Sequence, residues 1–445
     1  MTEVSPVDGR AGDGTPTGGL PTGADHEAGG GDRVPDRFDD GPSQLEVSEA
    51  KLARIALGCL VEPGNRELGL MLRHEGAVRA LELVVTGRLA SGRLAGAVGA
   101  RLDDRRLPRT VDAARELAVE TVLRAHRLGA RLVTPDDAEW PRQLNDLVLV
   151  SREGQEPVRR DTDPPVCLWV RGDPPLDEAL ARSVAIVGSR AATSYGNTIA
   201  AELAYGLAGR DWTIVSGGAF GIDAQAHRAA IAAGGLTVAV LACGIDTPYP
   251  AAHAVLFEQI AEDGLLVTEW PPGSEPFKTR FLTRNRCIAA ATRGTVMVEA
   301  GARSGARNTL THARRLGRAA MVVPGPITSA MSVGCHVELR RSDTVLVTSV
   351  EEVIEEIGAI GDLATVPTSP TTRTDLLSPT EQRLLDAVSP RKLMTAEEIA
   401  ANAGTSGTEA RRALPGLEAA GFVVSTEEGR YRLPPRKATG ATPDG

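Results

Sequence analysis

The sequence predicts an α/β protein: a mostly parallel sheet, preceded by a small helical domain and followed by three short helices and a hairpin. Three observations carry this prediction. Between Ser183 and about Val347, seven short apolar segments alternate with helical runs, as right-handed strand–helix–strand units require. Each glycine turn in that region falls where a strand ends, the edge at which such sheets bind ligands. On either side, the apolar spacing is helical instead.

A chain of 445 residues has room for about three domains. No stretch approaches the roughly 20 consecutive apolar residues of a spanning helix, so no membrane association is expected. The start, Met1-Thr2-Glu3-Val4-Ser5-Pro6, lacks the basic end and apolar run of a signal peptide. Five scattered cysteines without Cys-x-x-Cys spacing fit a reduced, cytoplasmic chain with no zinc site.

The net charge of −9 divides unevenly along the chain. Residues 1–50 hold eleven acids against three arginines, whereas between Lys278 and Arg341 twelve Lys and Arg face only Glu299 and Glu338. A basic segment inside an acidic protein is expected to meet a polyanion or to form a solvated face.

In chain order, residues 1–45 are rich in Gly, Pro, Asp and Thr and are expected to be a disordered tail. Residues 46–132 show apolar recurrence at Leu52, Ile55, Ala56 and Cys59 and again at Leu68, Met71 and Leu72, with Pro63-Gly64 and Gly76 as punctuation. This is a helical domain. Val166–Val170 reads as a strand at the entrance to the sheet, after an exposed polar loop at 151–163. The core, 133–348, has strands at Val184–Val187, Thr213–Val215, Thr237–Leu241, Leu265–Thr268, Thr295–Val298, Ala319–Val323 and Thr344–Val347. A helix at Val350–Ile357 leads into a Thr/Pro/Ser linker, the two spanning 349–377. Residues 378–434 offer helices at 380–388, 396–401 and 408–420 and then a hairpin, a winged-helix pattern. Its charge is balanced, eight acids to seven bases, and its third helix offers only Arg411 and Arg412, which suits an interaction module better than a base-reading domain. Residues 435–445 form a second tail.

The first glycine turn, Gly188-Ser189-Arg190, places amide donors and a guanidinium ahead of a helix, where one phosphate can meet both. Arg190 stands where a dinucleotide fingerprint would put glycine, and no Walker A pattern occurs. Ser216-Gly217-Gly218 is a second such anion site, and Ser304-Gly305 a third glycine turn. Asp223 and His227, four apart on one helix, read as a cap and a hydrogen-bonded histidine rather than an acid/base pair. The most informative stretch runs from Pro271 to Arg286. It interleaves Phe277 and Phe281 with Lys278, Arg280, Arg284 and Arg286, and opens a helix carrying Asn285. Cations for phosphates and a flat ring for bases are what single-stranded nucleic acid requires; Phe281 is the stacking ring, with Lys278 one helical turn earlier. No nucleophile with its base, metal cluster or paired-carboxylate motif accompanies these turns, so neither a catalytic residue nor a cofactor is expected.

The chain resembles the DNA processing protein A family (DprA, also called Smf). The motifs that carry the resemblance include Val184-Ala185-Ile186-Val187-Gly188-Ser189-Arg190, Ile214-Val215-Ser216-Gly217, Gly221-Ile222-Asp223 with Ala226-His227, and Tyr249-Pro250. Further on come Glu269-Trp270-Pro271-Pro272-Gly273, Arg284-Asn285-Arg286, Val298-Glu299-Ala300, Ser304-Gly305, Val323-Pro324-Gly325 and Gly334-Cys335. The resemblance implies an extended Rossmann-like core with an N-terminal helical, SAM-like domain and a C-terminal winged-helix domain. It also implies a homodimer that binds single-stranded DNA, protects it and loads RecA during natural transformation and recombination. By position it makes Arg190, Lys278 and Phe281 DNA-contacting, with Ser216, Gly217 and Asn285 in the same pocket. Three positions depart from the family pattern: Leu282 where Pro is common, Arg307 where Leu is usual, and His336 where Asn is usual. Arg307 is expected to add charge near the pocket.

Two other functions compete. A nucleotide or nucleoside-phosphate processing enzyme of related fold would carry a Pro-Gly-Gly-x-Gly-Thr loop with a catalytic Glu, which Gly301–Thr309 does not provide. A winged-helix regulator would prefer duplex DNA.

Overall fold

The computed structural model describes residues 47–89, 92–152, 162–359, 377–426 and 428–434. The expected acidic tail, most of the 151–163 loop, nearly all of the linker and the C-terminal tail lie outside them.

Four helices open the described chain: α1 (Glu49–Leu60), α2 (Arg66–Val85), α3 (Gly92–Asp104) and α4 (Val111–Arg127). Asn65 and Thr110 cap α2 and α4 by accepting the amides of Leu68 and Ala113. Gly76 breaks α2 at φ 77°, a backbone conformation that glycine enters at little cost. The loop expected to be exposed instead ends buried: Asp163 is 1% accessible, takes an ion pair from Arg73 at 2.7 Å, and its amide donates to the Gly64 carbonyl.

The chain then enters a sheet through β1 (Ala130–Val133), the short helix α5 (Leu147–Arg152), β2 (Leu168–Arg171) and α6 (Leu176–Ala181). Next come β3 (Ser183–Val187), α7 (Ser194–Ala208), β4 (Thr213–Ser216), α8 (Ile222–Ala232), β5 (Thr237–Val240), α9 (Ala254–Asp263) and β6 (Leu265–Thr268). The second half runs α10 (Lys278–Ala291), β7 (Gly294–Met297), α11 (Ala306–Arg315), β8 (Ala319–Val322), α12 (Val333–Glu338), β9 (Val345–Leu346) and α13 (Val350–Ile357).

The nine strands form one sheet in the order β1-β2-β6-β5-β4-β3-β7-β8-β9. From β6 to β9 all neighbours are parallel, while β2 joins β6 and β1 joins β2 antiparallel. This is the mostly parallel, Rossmann-like α/β sheet the sequence predicts. Successive residues serve opposite faces: Val184 and Ile186 pack with α7, α8 and α13, whereas Ala185 and Val187 pack with α6, α10 and α11. Burial on both faces is why the strands read as unbroken apolar runs rather than alternating ones. Chain direction across the sheet reverses between β3 and β7, the topological switch point of such a fold.

Residues 377–434 contain α14 (Pro379–Ala387), α15 (Ala396–Ala403), α16 (Gly407–Ala419) and the hairpin β10 (Val424–Ser425) and β11 (Tyr431–Arg432) around their own apolar cluster. Each helix starts with a capping box, Ser378/Glu381, Thr395/Glu398 and Ser406/Glu409. Arg411 on α16 is tied to Glu397. Among the described residues, no helix is long and apolar enough to cross a membrane.

Candidate nucleic-acid interface

At the switch point, the ends of β3 and β7 part and leave a cavity of about 910 Å³. Its walls come from three loops and one helix: Gly188, Ser189 and Arg190 after β3, Arg303, Ser304 and Gly305 before α11, Tyr249 after β5, and Lys278, Phe281, Arg284 and Asn285 on α10.

The β3–α7 turn is tight because Gly188 has no side chain. A Cβ there would lie 2.5 Å from Cγ1 of Ile222 and 3.0 Å from the Glu299 carbonyl oxygen. Ser189 folds back, its hydroxyl accepting the Ala191 amide at 3.1 Å, and Arg190 is turned out to solvent. Glu299 at the end of β7 accepts the Thr193 amide at 2.9 Å and the Thr193 hydroxyl at 2.6 Å. That carboxylate therefore anchors the start of α7.

The outer wall is aromatic and cationic. The Arg190 guanidinium lies 4.9 Å over the Phe281 ring, and Tyr249 meets that ring edge-on at 5.7 Å. Lys278 and Arg303 are exposed on either side. Among the described residues, none of Arg190, Lys278 and Arg303 has an acidic partner. Free cations around a part-exposed ring make a surface for phosphates and a base.

The floor is polar and buried. Arg284 is 4% accessible and donates to the carbonyls of Gly217, at 2.9 Å, and Val240, and its Nε donates to Asn285 Oδ1 at 3.3 Å. Asn285 in turn donates to the Gly305 carbonyl at 3.2 Å. Asp223 accepts the Gly217 amide at 3.2 Å; burial raises its pKa, against the pull of the Arg284 charge. Burial likewise lowers the pKa of Arg284, which Asp223 opposes.

Nine of the thirteen expected site residues thus meet in one cavity: Gly188, Ser189, Arg190, Lys278, Phe281, Arg284, Asn285, Ser304 and Gly305. Four do not line it. Ser216 is fully buried, its hydroxyl donating to the Ile186 carbonyl at 2.6 Å. Gly217 and Gly218 are buried; a Cβ on Gly217 would collide with the Arg284 guanidinium, and Gly218 packs on Phe257. Arg286 is 0% accessible and bidentate to Glu269 at 2.6 and 2.7 Å. These four shape the sheet edge from beneath the cavity rather than lining it.

The basic segment also changes meaning. Arg280, Arg286, Arg318 and Arg341 pair with Glu62, Glu269, Asp146 and Asp343, while Arg307 and Arg314 share Glu338. Much of the local positive excess is therefore neutralised by acids from elsewhere, including the charge expected of Arg307. His227 is a hydrogen-bonded core histidine, as expected, 2.7 Å from the Thr237 hydroxyl. Asp223 is not the expected helix cap: Gly221 holds the N-cap position of α8, and Asp223, inside the first turn, accepts the Gly217 amide of the loop before it instead. Sequence reading overlooked Tyr249 and Arg303 as wall residues; the one signal for Arg303 was a charge inside the Gly301–Gly305 turn.

With this geometry in place, comparison with known proteins is direct. Residues 131–358 match the family model described as DNA recombination-mediator protein A. A Mycobacterium tuberculosis protein bearing the DprA name is 43% identical over 384 residues, covering 86% of this chain and 93% of the relative. The Escherichia coli protein Smf is 34% identical over 304 residues, 66% of this chain and 79% of its own length. The X-ray structure of DNA processing protein A from Streptococcus pneumoniae aligns with 71% of this chain and 100% of its own, at 29% identity and a TM-score of 0.52.

Proposed function

The chain belongs to the DNA recombination-mediator protein A family, and from that premise we propose that it binds single-stranded DNA across the mouth of the switch-point cavity. We further read it as a cytoplasmic homodimer that protects the strand and passes it to RecA, with residues 378–434 as a winged-helix interaction module. One observation carries the DNA assignment: Arg190 stacks on Phe281 while Lys278 and Arg303 flank the pair without acidic partners among the described residues. A ring with a cation on its face offers a base a stacking surface and a phosphate a countercharge together.

The role is binding rather than catalysis. The carboxylates nearest the cavity are already engaged: Glu299 holds Thr193, Glu269 holds Arg286, and Asp223 holds the Gly217 amide. Each of the three is thus occupied in holding a loop or a buried guanidinium.

The test is oligo(dT) binding by fluorescence anisotropy over a salt series. The double variant Arg190→Ala/Lys278→Ala should bind far more weakly, and its log–log salt slope should shrink by about 0.7 for each phosphate that is no longer neutralised. A folded double variant with wild-type affinity and slope would overturn the assignment.

A further inference from the structure

The turn of α10 that bears Lys278 and Phe281 is poorly stabilised by its own sequence. Its N-cap residue, Phe277, makes no side-chain cap bond, its first turn holds no acid, and two of the residues in that turn, Lys278 and Arg280, are cations. Cations at the positive end of a helix dipole oppose the helix, and uncapped first turns fray. Something outside the helix must fix this turn, because both residues need a set direction toward the cavity.

The partner is the helical domain. Just past α1, Glu62 accepts from Arg280 Nη2 at 2.7 Å, from Arg101 at 2.6 Å and from the Trp270 indole at 3.0 Å. Arg280 also donates to the Glu275 carbonyl at 2.6 Å and lies 4.9 Å from the Phe277 ring and 5.7 Å from the Trp270 ring. Its side chain is 14% accessible, so it is a structural anchor and not a free phosphate ligand. A second tie lands nearby: Asp246 accepts Arg124 of α4 at 2.6 Å and the Gly273 amide at 2.7 Å. Both ties reach the loops that form the outer wall of the cavity, the wall that includes Tyr249.

We propose that the helical domain is a brace for the DNA site, in which Glu62 acts through Arg280 as a positioning residue for Lys278 and Phe281. The inference rests on the DNA-binding reading above. It makes a prediction opposite in sign to simple electrostatics. Removing an acid beside a polyanion site should tighten binding through charge alone, whereas loss of the brace should weaken it.

The experiment compares full-length wild type, Glu62→Gln, Arg280→Lys, the double variant and Lys278→Ala for oligo(dT) affinity over a salt series. Hydrogen exchange at residues 277–281 is measured in parallel. Glu62→Gln should bind about five- to tenfold more weakly with an unchanged salt slope, and the first turn of α10 should exchange faster. Arg280→Lys, which keeps its charge, should also weaken binding, and the double variant should be no weaker than Glu62→Gln, because one link is broken in both. Lys278→Ala should lower affinity and slope together. If Lys278→Ala weakens binding while a folded Glu62→Gln binds as well as wild type or better, the brace is overturned and the DNA site stands. If Lys278→Ala has no effect, both fall. Should Glu62→Gln fail to fold, Arg280→Lys decides alone, and wild-type binding there overturns the brace.

Discussion

The Arg190 guanidinium sits 4.9 Å over the Phe281 ring, joining the β3–α7 turn to the first turn of α10 at the mouth of one cavity. On the proposed function, a base stacking on Phe281 has to share or displace that cation. Phe281→Ala should therefore weaken oligo(dT) binding by about 1–3 kcal/mol while leaving the salt slope intact, since every cation that meets a phosphate is kept. Arg190→Ala should lower both. In a double-mutant cycle the two losses should fall short of additivity, because the side chains touch. Independent, additive losses would mean the pair does not act as one platform.

Arg286 makes a different prediction from the arginine two places before it. It is fully buried and bidentate to Glu269, so Glu269→Gln leaves a buried guanidinium without its counter-charge. Breaking such a pair costs about 3–5 kcal/mol, and denaturant unfolding should show a loss of that order. Any folded fraction should keep the wild-type salt slope for DNA. A change in slope would return Arg286 to the contact surface.

These two arginines show how far the fold and the site were legible in the sequence. The strands were readable because Ala185 and Val187 serve one face of the sheet while Val184 and Ile186 serve the other, and the glycine turns were readable because each ends a strand. The cavity followed from their order. What the sequence did not display was the direction of each cation in Lys278–Arg286. Arg284 turns onto the Gly217 and Val240 carbonyls, Arg286 onto Glu269 and Arg280 onto Glu62, partners up to 218 positions away. Charge counted along the chain therefore overstated the positive charge open at the cavity, and of the cations in that stretch only Lys278 has no acidic or carbonyl partner among the described residues. Ser216 misled for a related reason: a hydroxyl at a strand end can equally serve the neighbouring strand's carbonyl.

Two buried histidines set an acid limit on stability. Thr237 donates its hydroxyl to the Ile214 carbonyl at 2.8 Å, which leaves His227 Nδ1 as donor to that hydroxyl. Among the described residues, its Nε2 is buried without a partner, as is Nδ1 of His312. Burial foremost, then neighbouring cations, pushes His227 down to about 3 and His312 to about 4. Both folded values lie below the unfolded value near 6.5, so the stabilisation is complete above that pH and is lost as pH falls toward them. Between pH 6.5 and 5, each histidine should remove about 1.5 kcal/mol from the unfolding free energy. Urea unfolding at the two pH values should show the loss, and His227→Gln should reduce the pH dependence. An unchanged dependence in that variant would mean His227 titrates alike in the folded and unfolded protein.

Arg307 tests the proposed DNA site from the opposite side, since it adds a cation close to it in sequence. Its Nε donates to Glu338 at 2.7 Å and its Nη1 to the Ala302 carbonyl at 2.6 Å. Glu338 is only 3% accessible and also pairs with Arg314 at 2.8 Å, so the carboxylate, not DNA, accounts for the position of Arg307. Arg307→Leu should leave oligo(dT) affinity within about twofold of wild type and its salt slope unchanged, because the cations that neutralise phosphates all remain. Stability should fall by about 1–3 kcal/mol, as one of two cationic partners of a buried carboxylate, and its hydrogen-bond donor, is removed. Glu338→Gln should cost stability as well, by leaving Arg307 and Arg314 facing each other without their shared counter-charge. A salt slope that shrinks by about 0.7 in Arg307→Leu would instead mark Arg307 as a phosphate ligand and extend the interface along α11.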